Sequence, residues 1–272
     1  MKVLVTGGQG FIGRAVIERL EHEGHAWRSY DLPFDVRYKD LLIQQASGAE
    51  AIIHLAGVLG THELFDSIDQ AIDVNIRGTA NVLEACRVHG ARFVGISMPP
   101  VFKSVYTATK VCSGWLASAF HETYDVPVSH VRAFNAFGPG QAYGPGHPQK
   151  ILPTFALASW RNEPIPIWGD GEQTVDLIYT GDLARVLVAA LDHGDDITID
   201  GGTGTAMTVN QVAALVAQIT KNPLKVEYLP MRRGERPTNI VATGEGWDRL
   251  GWKPELHSGD LIRAVNWYKD RV

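Results

Sequence analysis

Short apolar runs alternate with stretches of helical period over the first half of the chain. Residues 2–6 read as a buried strand, 11–23 as an amphipathic helix, and 27–31 and 51–55 as further strands. Residues 69–89 form a long helical stretch, 92–97 a strand, 106–124 a second long helix and 128–133 another strand. Strands that alternate with helices imply βαβ units, hence a parallel sheet covered on both faces. Beyond Asn135 the texture changes. Residues 138–148 read Gly-Pro-Gly-Gln-Ala-Tyr-Gly-Pro-Gly-His-Pro, a loop by composition. Helices follow at 153–161, 182–192, 208–220 and 259–270, with Thr208 as an N-cap, and short strands at 165–168 and 197–200.

Composition narrows the class. A chain of 272 residues with 45% apolar and 20% charged side chains has ample material for a core. A net charge of −5 with no basic tail argues against nucleic acid as partner. No apolar run approaches the length of a membrane span, and the segment before Gly7 is too short for a signal peptide. Two cysteines, Cys86 and Cys112, cannot make a disulfide framework and suit a reduced, cytoplasmic setting. Ten histidines show no ligand spacing, so no metal is expected.

Thr6-Gly7-Gly8-Gln9-Gly10-Phe11-Ile12-Gly13 joins the first strand to the first helix. Such a turn lets backbone approach a pyrophosphate, and the helix N-terminus supplies free N–H groups and partial positive charge. Asp31 ends the second strand 18 residues after Gly13, placed to accept from adenosine ribose hydroxyls. A carboxylate there repels a 2′-phosphate, so the expected cofactor is NAD. Asp35 and Val36 are expected to border the adenine. The expected fold is α/β: a Rossmann-type doubly wound parallel sheet with a smaller C-terminal α/β lobe. Residues 1–136 with 176–203 would form the NAD-binding part, and 137–175 with 204–272 the substrate lobe.

Further motifs follow in order: His54-Leu55-Ala56-Gly57, Asp73-Val74-Asn75-Ile76-Arg77-Gly78-Thr79, Tyr106-Thr107-Ala108-Thr109-Lys110, Arg132-Ala133-Phe134-Asn135, Gly169-Asp170-Gly171-Glu172-Gln173, Asp176-Leu177-Ile178-Tyr179, Arg233-Gly234-Glu235 and Leu250-Gly251-Trp252-Lys253-Pro254. With the glycine loop, this set resembles the extended short-chain dehydrogenase/reductase family, in its group of NAD-dependent nucleotide-sugar epimerases and dehydratases. The resemblance places His54 after the family's fourth strand and adds Leu55, Ala56 and Gly57 to the cofactor contacts of Gly7, Gly10, Phe11, Ile12, Gly13 and Asp31. It also implies a nucleotide-sugar substrate held by Asn135, Gln173 and Arg233, and a homodimer pairing the helices at 69–89 and 106–124.

Tyr106 and Lys110 lie four apart and share a helix face. A free phenol titrates near ~10, and an adjacent ammonium lowers it; reaching about 7 takes roughly 4 kcal/mol. Tyr106 is therefore the expected acid/base, with Lys110 holding both the phenolate and the nicotinamide ribose. Asn75 is expected to hold backbone near the site through its amide.

Four departures from the family pattern bear on the chemistry. Met98 stands at the usual Ser/Thr position, and a thioether donates no hydrogen bond. Ser97 is one residue off and on the other strand face; Ser104 and Thr107 are the possible substitutes. Pro99 and Pro100 stand where dehydratases carry Asp-Glu, which disfavours 4,6-dehydration and decarboxylation. Eight residues separate Ser97 from Tyr106, a short loop, and Val175 replaces an arginine before Asp176, leaving Arg233 to compensate. The chain is expected to be an NAD-dependent epimerase. The alternatives are an NAD-dependent reductase of a sugar-like secondary alcohol and a catalytically weak NAD-binding sensor or scaffold.

Overall fold

The computed structural model describes residues 1–99 and 101–272. Six strands form one parallel sheet: β1 (Lys2–Thr6), β2 (Ala26–Tyr30), β3 (Ala51–His54), β4 (Arg92–Ser97), β5 (Val128–Ala133) and β9 (Asp195–Gly201), in the order β2-β1-β3-β4-β5-β9. Strand order reverses at β1, with β2 on one side and β3 on the other. In an open α/β sheet, ligands bind outside the carboxyl ends of the strands at such a switch point. β3 is buried throughout and β1 beyond its first residue, as expected when helices cover both faces.

Helix α1 (Phe11–His22) packs against α7 (Thr180–Ala189) on one face. The other face carries α2 (Lys39–Gln45), α4 (Gly78–His89) and α5 (Val105–Tyr124). The stretch at 69–89 is not one regular helix. It runs as α3 (Ile68–Ala71), a π-helical segment over Ile72–Arg77, then α4. The wider turn sets Asn75 inward, where it is buried.

A second apolar cluster joins α6 (Ile151–Trp160), β7 (Ile165–Trp168), α8 (Val209–Thr220) and α10 (Ser258–Trp267) around Phe137, Phe155, Ile167, Val212 and Tyr268. β7 pairs in parallel with β11 (Val226–Leu229). A three-stranded sheet runs β10 (Ala206–Thr208), β8 (Thr174–Tyr179), β6 (Asn135–Phe137). The lobe boundaries expected after residues 136 and 175 fall inside β6 and β8. Thr208 caps α8 in a reciprocal capping box with Gln211. α6 begins two residues earlier than its pattern indicates, because Pro153 in a first turn loses no intrahelical bond.

One count differs from the resemblance. His54 ends the third strand, not the fourth: the chain leaves Tyr30 through turns and enters α2 without another strand.

Candidate active site

The glycine loop is built for close approach. Gly7 sits at φ +74°, and a Cβ on it would lie 2.7 Å from the Ala56 nitrogen. A Cβ on Gly13 would overlap the Gly7 carbonyl and come within 2.6 Å of the Gly8 Cα. Gly10 precedes α1, where no side chain caps the helix and the first turn holds no acidic residue. The N–H groups of Phe11, Ile12 and Gly13 thus face an anion site uncontested by the chain's own carboxylates.

Asp31 follows β2 directly. Its Oδ1 accepts from the Gln9 N–H at 3.1 Å, and the Ser29 hydroxyl donates to Oδ2, so the carboxylate is fixed beside the loop. Asp35 is paired with Arg37 at 2.7 Å, whose guanidinium holds its carboxyl below the usual range. Val36 is buried behind it and accepts from Asn81 through its carbonyl. Leu55 and Ala56 leave β3 under hydrogen bonds to Thr6, at 2.9 and 3.4 Å. Asn75 ties three segments together. Its Oδ1 accepts from the Val58 N–H (2.9 Å), and its Nδ2 donates to the Val58 carbonyl (3.1 Å) and the Thr109 hydroxyl (3.0 Å). Gly57 is where that amide passes closest, since a Cβ there would meet Asn75 Oδ1 at 3.0 Å. Glycine cradle, open helix N-terminus and a carboxylate fixed beside the loop fit a dinucleotide.

Below this cradle lies a buried polar chain. His54 Nδ1 meets the Thr6 hydroxyl at 2.7 Å and Nε2 the Thr79 hydroxyl at 3.0 Å; Thr79 donates to the Asn75 carbonyl, as does Ser113 of α5. Burial, helped by the charge of Lys110, pushes the imidazole down to about 3. The unfolded chain therefore binds a proton that the folded chain refuses between that value and His54's ordinary 6.5. Stability should fall on acidification through this window, by roughly 3 kcal/mol at pH 4. Urea unfolding at pH 7 and pH 4 checks this: the loss should shrink by about that amount in His54→Gln, and an equal loss in both proteins removes the idea.

α5 starts at Ser104, whose hydroxyl accepts from the Thr107 N–H at 3.1 Å. Tyr106 in the first turn lines a cleft of about 340 Å³. Met98, Val101, Phe102 and Thr107 share its wall, and Asn135, Gln173 and Val175 also line the cleft. Ser97 does not line it, and Ser104 is engaged as the cap, so Thr107 is the hydroxyl nearest the expected role. Val101 donates to the Pro99 carbonyl; Pro100 lies outside the described residues. Lys110 lines a separate small cavity with His54, Thr79 and Ser113.

Two expectations change here. The phenol is not lowered by the protein alone: burial pushes Tyr106 up to about 12, and it pushes Lys110 down to about 8. Both groups lose water while Lys110 faces the neighbouring cavity, so desolvation outweighs attraction. Arg233 does not line the cleft. It is exposed and stacks on Phe65 at 5.4 Å, whereas Arg232 and Arg236 line the cleft. Arg233 and Gly234 are the central residues of a turn closed by the Glu235 N–H donating to the Arg232 carbonyl at 3.0 Å, with Gly234 at φ +81°, a fold of the backbone that spacing along the chain does not reveal. The sequence reading also missed Lys150, Trp168 and Glu63 as lining residues. The available signal for Lys150 was its place just before a helix.

The sequence profile described as the NAD dependent epimerase/dehydratase family matches residues 3–200. A UDP-glucuronate 4-epimerase of Thermodesulfobacterium geofontis is 28% identical, the match covering 99% of this chain and 96% of the relative. A dTDP-glucose 4,6-dehydratase of Streptomyces niveus is 26% identical over 99% and 93%. Among solved structures, the UDP-glucose 4-epimerase of Thermotoga maritima with UDP-glucose superposes with a TM-score of 0.91 at 24% identity, covering 100% of this chain and 99% of the other, and shares the fold. No helix among the described residues is long and apolar enough to cross a membrane. With the Rossmann sheet, the glycine cradle and a match over most of its length, the chain belongs to the NAD-dependent epimerase/dehydratase family, and NAD is its cofactor.

Proposed function

We propose that the protein is a nucleotide-sugar epimerase in which Tyr106 moves the proton of a sugar hydroxyl. One observation carries this reading. On the wall formed by the described residues of 98–107, Tyr106 is the titratable group that lines the cleft, and its companions there are Met98, Val101, Phe102 and Thr107. That wall offers a base for a hydroxyl and no carboxylic acid for eliminating water, so oxidation and return of one carbon is the chemistry it supports.

NAD, when bound, supplies a hydride acceptor that returns the hydride. The chain's own residues do the rest. Gly7, Gly10 and Gly13 admit the pyrophosphate to the N-terminus of α1, and Asp31 accepts from the ribose hydroxyls. Tyr106 takes the hydroxyl proton as the carbon is oxidised, then gives it back to the same oxygen once the ketone has turned. Lys110 stabilises the phenolate through its positive charge. Asn135 and Gln173 orient the nucleotide-sugar, and Met98 leaves a wall without a donor where the sugar turns.

Incubating the NAD-loaded protein with UDP-glucose, dTDP-glucose and their N-acetylated and uronate counterparts tests this. The expected result is a product inverted at one ring carbon by NMR with no net rise at 340 nm. Stoichiometric NADH instead assigns a dehydrogenase. Bound NAD with no turnover assigns a sensor, a reading motivated by Met98.

The same reading makes the protein a homodimer through α3–α4 and α5, whose outer faces expose Ile68, Ile72, Val111 and Trp115. Burying four such side chains stabilises association by several kcal/mol, about 1.5–3 for each one fully covered. Sedimentation should give twice the chain mass at micromolar concentration and a monomer for Trp115→Glu; a wild-type monomer ends this part of the proposal.

A further inference from the structure

The proton transfer gives Tyr106 a task and leaves the side chains around it without one. After β4 the chain passes Met98 and Pro99 and returns by Val101 and Phe102 to the start of α5. The Val101 N–H donates to the Pro99 carbonyl at 2.8 Å, which folds this apolar stretch tightly. Met98, Val101 and Phe102 line the same cleft as Tyr106. The polar side chains of the same segment are turned away or already engaged. Ser97 does not line the cleft, Lys103 is exposed and does not line it either, and the Ser104 hydroxyl caps α5. The Thr107 hydroxyl is paired with that of Ser104 at 3.0 Å. Burial pushes Tyr106 up to about 12, as expected of a phenol whose surroundings hold little water. The cations that line the cleft come from other segments: Lys150 before α6, and Arg232 and Arg236 after β11.

A sugar whose hydroxyl meets Tyr106 sets the substituent on the neighbouring ring carbon against this wall. A hydroxymethyl group there gives up its water and finds no donor, because hydrocarbon and thioether have none. A carboxylate is worse placed, being charged as well as unpaired. A methyl group loses nothing and gains burial, and an unbranched Met side chain adapts to its shape. We propose that the substrate is a nucleotide-activated deoxysugar, with a methyl group on the ring carbon beside the one oxidised, and that Met98, Val101 and Phe102 select it. For oxidation at the fourth ring carbon this is a 6-deoxyhexose. The assignment rests on the epimerase reading and names the substrate class within it.

The test varies only the substituent on the fifth ring carbon. UDP-xylose, UDP-6-deoxyglucose, UDP-glucose and UDP-glucuronate carry hydrogen, methyl, hydroxymethyl and carboxylate there. The NAD-loaded protein is given each of them and their dTDP forms, with turnover read by NMR and affinity by calorimetry. The methyl sugar should show the highest kcat/KM, about 5-fold above hydrogen, about 10-fold above hydroxymethyl and roughly 100-fold or more above carboxylate. Met98→Gln keeps the side-chain length and adds a donor and an acceptor, and Phe102→Tyr adds a hydroxyl. Each should cut the methyl-to-hydroxymethyl ratio to about threefold or less, while Met98→Leu should keep it near about 10. The ratio compares two substrates on one protein, so partial unfolding of a variant does not move it. A wild type that uses the hydroxymethyl sugar as well as the methyl sugar overturns the assignment and leaves the epimerase reading standing. So does a preferred uronate, which would mean that a cation of the cleft reaches the sugar. A ratio unchanged in both Met98→Gln and Phe102→Tyr takes the selection away from this wall. Preferred binding of the methyl sugar without turnover of any keeps the wall and removes the epimerase, and no binding of any of the sugars overturns both.

Discussion

Gly13→Ala should abolish NAD binding, raising its dissociation constant at least 100-fold. The added methyl has nowhere to go. It would overlap the Gly7 carbonyl and lie 2.6 Å from the Gly8 Cα, and both obstacles are backbone. Relief requires α1 to move off the strand that feeds it, which costs about 1–3 kcal/mol in packing and withdraws the N–H groups from the pyrophosphate. Losing two or more such charge-assisted bonds costs roughly 3 kcal/mol or more, which sets the hundredfold floor. Gly259→Ala is the control, since a Cβ there meets nothing within 4 Å. Calorimetric titration with NAD reads both. If Gly13→Ala keeps the wild-type affinity within threefold, the cradle is not the cofactor site.

Tyr106→Phe should lower kcat about 1000-fold with NAD affinity intact. Removing a positioned acid/base loses about 10²–10⁴ in rate, on the order of 4 kcal/mol of transition-state stabilisation for the middle of that range. The shape of the cleft is preserved, so KM should change little. The pH profile separates Tyr106 from Lys110. Lys110 is held down to about 8, so its charge is present below that pH and lost above it; the phenol, pushed up to about 12 by burial, forms the phenolate that takes the proton only where that positive charge stands beside it. The wild-type rate should therefore fall above pH 8, with Lys110 as the titrating group. Lys110→Met should be slow throughout and lack this limb. Full turnover by Tyr106→Phe defeats the assignment of the base, and a limb retained in Lys110→Met defeats that of its partner.

Periodicity located the elements that matter to the cofactor because they are long or fully buried. β1, β3, β4 and β5 lie where the apolar runs predict them, and α1, α5 and α8 within a residue or two at each end. The short strand β7 lies where the sequence places it, but the two shortest strands were not legible. β6 and β10 have three residues each, too few for any alternation to register, and they exist because β8 lies between them. α2 was hidden by a seven-residue length and a polar start. The stretch at 69–89 reads as one helix because a single widened turn does not disturb an apolar period, yet that segment holds Asn75, buried and bonded to Val58 and Thr109.

For the proposed site, residue type and spacing singled out the glycine loop, Asp31, Tyr106, Lys110 and Asn75, because each reading needs only local geometry: a strand-to-helix turn, a strand end, one helix face. Spacing also showed that Met98 stands at the strand end where a hydroxyl was expected. Tertiary structure decided what depends on chain segments far apart. It set Thr107 and Met98, not Ser97, on the cleft wall, and it turned Arg233 onto Phe65 while Arg232 and Arg236 face the cleft. It also brought Lys150 from the start of α6 into the same space, and fixed the protonation of Tyr106, Lys110 and His54 through burial. The physical reason is that a local motif encodes backbone direction and hydrogen bonding, whereas side-chain facing and loss of water are properties of everything packed around it.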